Sequence, residues 1–306
     1  MGAVSAEVVR LLGASLAERT WATYGRAVER FLQFRQAAGL EPNWPAPTNH
    51  IAAFIASLSL EGLAPSSIST HTSAVAFVHK MQGWPDPTDS FCIRKLKEGI
   101  RRGGQKADSR RPISFELLGR LYNVLGAIAS SRYDTALFRA AFALAFFGFL
   151  RVGEFTARSM GADCSKVLSV DDVWFGGPGR SVMYVRLRFS KTDQRGESTD
   201  LIFQSLPTFS VCPVRSLSEY LSMRPSCHGP LFCKFDGSPL TASQFRMMLN
   251  RALGSLGIPA KGYNGHCFRI GAATWAAHLK VSGVQIQALG RWKSGAFNSY
   301  IRPHLV

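Results

Sequence analysis

Between positions 101 and 112 the chain reads RRGGQKADSRRP, a stretch of cations, two glycines and a closing proline with almost nothing apolar to bury. No helix or strand that covers a core can run through such a segment, so the residues on either side must build separate folding units. This predicts two domains, 1–105 and 113–306, joined by a basic linker at 106–112. A length of 306 residues with 46% hydrophobic side chains supplies material for two cores and excludes disorder as the main state.

The first domain reads as helical throughout. Trp21, Tyr24, Val28, Phe31 and Leu32 recur at the spacing of one helix face, which predicts a helix over 20–35, with Ser15 and Glu18 placed to form a capping box nearby. Further helices are expected over 48–58 behind Thr48, over 66–81 behind Pro65, and over 90–102. The expectation is a small four-helix unit.

In the second domain the period changes twice. Ser114 can cap a helix to about 129, and a strongly apolar helix is expected over 133–150, ending at Arg151 with Glu154 one turn beyond to pair with it. Residues 167–175 and 181–189 are rich in Val, Tyr and Phe and flank Gly176, Gly177, Pro178 and Gly179, which predicts a β-hairpin; a third short strand is expected at 200–203. Helical spacing then resumes over 214–222, 242–256, 266–279 and 284–289. The expected fold class is mainly α with a small antiparallel β-sheet, a helical domain followed by an α+β domain.

Charge separates the two halves. Residues 1–105 carry 11 basic against 8 acidic side chains, whereas 106–306 carry 25 against 12, so most of the net +16 lies in the second domain and linker. A surplus of that size is most commonly used to neutralise phosphates, which points to a nucleic-acid partner. The longest apolar run, from Ala140 to Leu150, is about half of what a membrane span requires, so no membrane segment is expected. The first residues lack a charged-then-apolar leader, and the six cysteines are scattered without a C-x-x-C pair. The chain is therefore expected to be intracellular, with reduced thiols and no zinc site.

Four short segments of the second domain concentrate polar chemistry: FFGFLRVGEF at 146–155, RFSKTDQRGE at 188–197, GHCFRIGAATWAA at 265–277 and LGRWKSGAFNSYIRP at 289–303. Each alone also fits a structural role, from a helix-end arginine to a solvated turn lysine or an aromatic stripe. Together they offer Arg151, Lys191, His266, Arg269, Trp292 and Tyr300, with no acidic cluster suited to magnesium. His266 and Arg269 share one face at a helix start, a ready phosphate site. Metal-free phosphoryl transfer to a tyrosine requires such a set: guanidiniums to neutralise the pentacoordinate phosphate, a histidine to assist the phenol and a lysine to protonate the departing oxygen.

On these segments the sequence resembles the tyrosine recombinase (phage integrase) family across nearly its whole length. The resemblance implies a helical core-binding domain, a linker and a catalytic domain, together forming a basic clamp on double-stranded DNA. It implies Arg151 as the first arginine with Glu154 supporting it, Lys191 as the hairpin lysine, His266 and Arg269 as the H-x-x-R pair, and Tyr300 as the nucleophile. The family's His or Trp stands nine residues before the tyrosine, here Arg291; Trp292, eight before it, is preferred because an indole N–H donates to phosphate.

The wording of 289–303 most resembles recombinases of eukaryotic mobile elements of the DIRS, Ngaro and Crypton type, which implies a nuclear location. The activity implied is site-specific cutting and rejoining of DNA through a 3′-phosphotyrosyl intermediate, without cofactor or metal, by four protomers on two duplexes. A type IB topoisomerase-like enzyme and a domesticated DNA-binding protein that no longer cleaves are the alternative readings.

Overall fold

The computed structural model describes residues 2–103, 108–189 and 198–302, and it divides into two compact units, Met1–Asp108 and Ser109–Val306. The described part of the first unit contains α1 (Gly2–Ala14), α2 (Glu18–Ala37), α3 (Thr48–Leu60), α4 (Pro65–Met81) and α5 (Phe91–Gly103). Phe31 of α2, Ile51, Phe54, Ile55 and Leu58 of α3, Ile68 and Val75 of α4 and Ile93 of α5 form one core. These positions follow the expected 3.6-residue spacing.

Three expectations for this unit need correction. The unit has five described helices rather than four, because α1, whose Val4, Val8, Val9, Leu11 and Leu12 are exposed, has no single buried stripe for a periodicity reading to find. Ser15 closes α1 by donating to Leu12 O (2.6 Å) instead of capping α2, whose N-cap is Ala17 with no side-chain bond. Leu32, expected on the buried face, is exposed, while Arg35 at the end of α2 is buried. The Arg35 guanidinium donates to the carbonyls of Glu41, Pro42 (3.0 Å) and Asn43 (2.7 Å) and lies over the Phe31 ring. It organises the loop before α3, and burial pulls its pKa down.

The second unit is built around α7 (Arg132–Phe147), whose residues from Ala140 to Phe146 are all buried. Against it pack α6 (Phe115–Ile128), α9 (Pro213–Met223) and α11 (His266–His278), with α10 (Ala242–Ser255) on α6. Ser114 caps α6 as expected, accepting from Leu117 N, and Ser131 (from Asp134 N) and Thr241 (from Gln244 N) cap their helices likewise, whereas Thr48, expected to cap α3, is its first residue behind Pro47. The second half of the basic linker is tied to this unit, since Arg111 N donates to Gly262 O (3.0 Å) and Ile113 N to Cys267 O (3.0 Å).

The sheet is antiparallel in the order β1 (Val173–Gly176), β2 (Val182–Leu187), β3 (Thr199–Gln204). Met183, Val185, Leu187 and Phe203 face the core. The expected first strand is cut short because Asp172 Oδ2 accepts from Ser169 N, closing a 3-10 turn before Val173. The β1–β2 connection runs through Gly177 and Gly179, both at positive φ. Chain direction thus returns at the turn composition that predicted it, and the architecture is mainly α with one small antiparallel sheet.

The apolar helix expected to run to Leu150 stops at Phe147. Gly148 closes it, where a Cβ would meet Leu144 O at 2.9 Å and Phe203 Cζ at 3.2 Å. Phe149 then takes φ 49°, in the left-handed region. Arg151 is consequently not a helix C-terminal residue; it precedes the short helix α8 (Val152–Phe155) as its N-cap.

Candidate active site

The break after α7 delivers Arg151 into a network of charges. Its backbone N–H donates to Glu154 Oε2 (2.9 Å) and its guanidinium to Glu154 Oε1 (2.9 Å). The Arg151 side chain keeps 18% of its surface exposed, and Glu154 only 5%. The other side of Glu154 is taken by Arg291, whose Nη2 donates to Oε2 at 3.1 Å.

α11 reaches the same place. A Cβ on Gly265 would lie 2.0 Å from Val152 Cγ2, so the start of α11 is pressed directly onto α8. His266, the first residue of the helix, is exposed, and its N–H donates to Asn264 Oδ1 (2.9 Å). One turn further on, Arg269 is fully buried and donates to the carbonyls of Phe149 and Gly290. Its guanidinium stacks 4.0 Å from the Trp292 ring centroid and 5.8 Å from that of Tyr300. Burial, with Arg151 and Arg291 pushing the same way, pulls its pKa down, and a guanidinium remains a cation at neutral pH through such a shift.

After α12 (Gly283–Leu289), Arg291 sits at φ 56° and turns its side chain toward Glu154, Gly148 O (3.0 Å) and Phe149 O (3.2 Å). Trp292 is buried against Gly290. Tyr300 ends the 3-10 segment Gly295–Tyr300, half-buried, its ring edge-on to Trp292 at 5.0 Å. The buried Thr274 hydroxyl lies 3.2 Å from Tyr300 O and accepts from Arg302 N (3.1 Å), which anchors the backbone on both sides of Ile301.

The structure thus brings Arg151, Glu154, Arg269, Arg291, Trp292 and Tyr300 into one continuous set of contacts, with His266 at its surface edge one turn from Arg269. Lys191 lies outside the described residues. Three guanidiniums face one carboxylate, which leaves a positive pole beside the Tyr300 ring. Among the described residues no group of three or more His, Cys, Asp or Glu side chains is arranged to hold a metal ion, and no helix is long and apolar enough to cross a membrane. Sequence reading missed Phe149, Gly290 and Thr274 as parts of this arrangement. The glycines at 148 and 290, each directly preceding a residue or segment that must turn sharply, were the available signal.

Residues 11–82 match the family model described as the phage integrase N-terminal SAM-like domain. An integrase/recombinase xerD homolog of Selenomonas ruminantium is 23% identical over 300 residues, covering 95% of this chain and 83% of the relative. Among solved structures, the Tn1549 transposon integrase in complex with transposon right end DNA aligns over 97% of this chain and 93% of its own, with TM-score 0.67 and 15% identity. A lambda integrase dimer bound to a core site aligns over 99% and 96%, with TM-score 0.64 and 16% identity. The XerH site-specific recombinase in a post-cleavage complex aligns over 92% and 75%, with TM-score 0.64 and 15% identity. The amino-terminal match, the nearly full-length recombinase relative and the shared fold of the whole chain make it similar to proteins of the tyrosine recombinase (phage integrase) family.

Proposed function

We propose that this protein is a site-specific DNA recombinase that cuts and rejoins duplex DNA through a covalent bond to Tyr300. The observation that carries the reading is the placement of Tyr300 beside the Arg151–Glu154–Arg291–Arg269 charge network, with the Arg269 guanidinium over both the Trp292 and Tyr300 rings. In the proposed reaction the Tyr300 phenolic oxygen attacks a backbone phosphorus and its proton leaves with assistance from His266. The bond to the 5′-oxygen breaks, Lys191 supplies the proton to that oxygen, and the product is a 3′-phosphotyrosyl link with a free 5′-hydroxyl. The reverse reaction with another strand's hydroxyl rejoins the backbone, so the bond energy is retained in the link.

The partially exposed Arg151 is the cation best placed to meet a phosphate oxygen directly, and Arg269 adds its charge from behind the aromatic pair. Family resemblance supports four protomers on two duplexes as the working assembly. The wording of 289–303 supports a mobile-element recombinase of the DIRS, Ngaro or Crypton type, acting in the nucleus of a eukaryotic host.

The full burial of Arg269 favours a second reading, a DNA-binding protein that keeps the fold without cleaving. A nicked duplex library separates them. Wild-type protein is expected to form a denaturant-resistant adduct that Tyr300→Phe does not form while still binding DNA. Binding without any adduct supports the second reading, and relaxation of supercoiled plasmid by a monomer supports topoisomerase-like strand passage.

A further inference from the structure

We infer that Arg291 is a positioning residue, whose inward-turned guanidinium locks the turn carrying Arg151 instead of meeting the phosphate. The inference rests on the recombinase reading for its catalytic consequence, and on geometry for the lock itself. Only 9% of the Arg291 side chain is exposed. Its Nη1 donates to Gly148 O (3.0 Å), and its Nη2 to Phe149 O (3.2 Å) and Glu154 Oε2 (3.1 Å). These acceptors are the two residues at which α7 breaks and the carboxylate that holds Arg151.

The connection to Arg151 passes through one oxygen. Glu154 Oε2 accepts both from Arg291 and from the backbone N–H of Arg151, while Oε1 takes the Arg151 guanidinium. Arg291 therefore fixes Glu154 from behind, and Glu154 fixes Arg151 by backbone and side chain together. Phe149 at φ 49° lies within the same loop, and a non-glycine residue in the left-handed region persists where its surroundings over-determine it. Two guanidiniums, from Arg269 and Arg291, converge on its carbonyl and supply that constraint.

Arg291 is itself at φ 56°, which aims its side chain into the protein. A planar fork can bridge two carbonyls and a carboxylate at once, which an ammonium cannot. Turning this fork out toward DNA would take one donor from each of Gly148 O, Phe149 O and Glu154 Oε2. The position nine residues before Tyr300 is thus occupied by a group committed to the interior.

Two experiments separate the lock from its consequence. In free protein, hydrogen exchange of peptides spanning 148–155 is expected to quicken in Arg291→Ala while α10 and the sheet stay protected; unchanged exchange in 148–155 overturns the inference. This arm needs no DNA and decides the lock even if no duplex is ever cleaved, an outcome that would instead remove the recombinase reading.

On a nicked duplex, Arg291→Ala is expected to slow adduct formation about 10-fold or more, a size set by misplacement of a charge-stabilising group. A neutral methylphosphonate at the scissile position, which dispenses with the charge that Arg151 supplies, is expected to rescue Arg291→Ala in parallel with Arg151→Ala. The double variant Glu154→Gln with Arg291→Ala is expected to be no slower than the slower single variant. Failure of the methylphosphonate to rescue Arg291→Ala where it rescues Arg151→Ala, or losses that multiply in the double variant, would show that Arg291 does not act through Glu154 and Arg151 and would overturn the inference. If Arg291→Ala does not fold, Arg291→Lys serves in both assays: intermediate exchange and rate are expected, and wild-type behaviour would show that charge without the fork suffices, overturning the inference.

Discussion

The indole of Trp292 folds back over Gly290 so closely that a Cβ at Gly290 would meet Cζ3 at 1.6 Å. The same glycine's carbonyl accepts from Arg269, whose guanidinium is stacked on that indole. One small residue therefore sets the distance between the buried cation, the ring and, through the ring, Tyr300.

Gly290→Ala tests that relationship. The methyl group cannot be absorbed by a flexible side-chain end, so the indole must move, and overpacking of this kind costs about 1–3 kcal/mol. The expected result is a folded protein with a lower melting temperature, normal duplex binding and strongly reduced adduct formation. Wild-type adduct formation in Gly290→Ala would show that the Trp292 ring does not position Tyr300.

Arg269→Lys keeps a positive charge but loses the fork that serves Phe149 O and Gly290 O. From sequence alone this variant is expected to lower turnover by roughly 100-fold with little change in binding. Burial adds a structural expectation: leaving a buried carbonyl without its donor, together with a weakened cation–π stack, costs about 2–4 kcal/mol. Calorimetry should accordingly show a melting temperature lower by roughly 5–15 °C. A variant that cleaves slowly with unchanged stability would mean that Arg269 acts on the phosphate alone.

The helices of both units were legible because most bury a continuous stripe, as the Phe31 face of α2 and the unbroken apolar run of α7 illustrate. α1 was not legible because its apolar residues are left exposed and carry no periodic signature of burial. The end of α7 was misread for a different reason. Phe149 and Leu150 are as apolar as the helix before them, and the helix ends where Phe149 turns into the left-handed region behind Gly148, a position where a side chain would meet Phe203 of β3. The same limit applies at 291–292, where sequence offers an arginine and a tryptophan in adjacent positions. Their roles diverge only through the backbone turn at Arg291, whose positive φ sends one side chain to Glu154 and leaves the next beneath Tyr300.

The charge distribution predicts a steep salt response. With 25 basic against 12 acidic side chains after residue 105, and each neutralised phosphate contributing about 0.9 to the log–log slope, affinity for duplex DNA should fall by several powers of salt concentration. Titration of duplex binding across about 50–200 mM salt provides the slope. A flat response would assign the basic surface to something other than the DNA backbone and would count against both the cleaving and the non-cleaving readings.

Lys191 is assigned the leaving-group proton by its place in the RFSKTDQRGE segment and the family resemblance, and it is testable without a view of its side chain. A flexible ammonium can follow the 5′-oxygen as the bond breaks, so Lys191→Ala should cleave slowly. A bridging sulfur leaves as a thiolate with little need for a proton, and a 5′-phosphorothiolate duplex should therefore restore much of the rate to Lys191→Ala. Arg151→Ala should gain nothing comparable, because its task is to stabilise charge on the non-bridging oxygens, which the sulfur leaves in place. Arg269→Ala should behave in the same way, since its loss perturbs Phe149, Gly290 and the Trp292–Tyr300 stack rather than the departing oxygen. If sulfur rescues none of the three, Lys191 is not the acid, and the exposed His266 at the start of α11 becomes the next candidate.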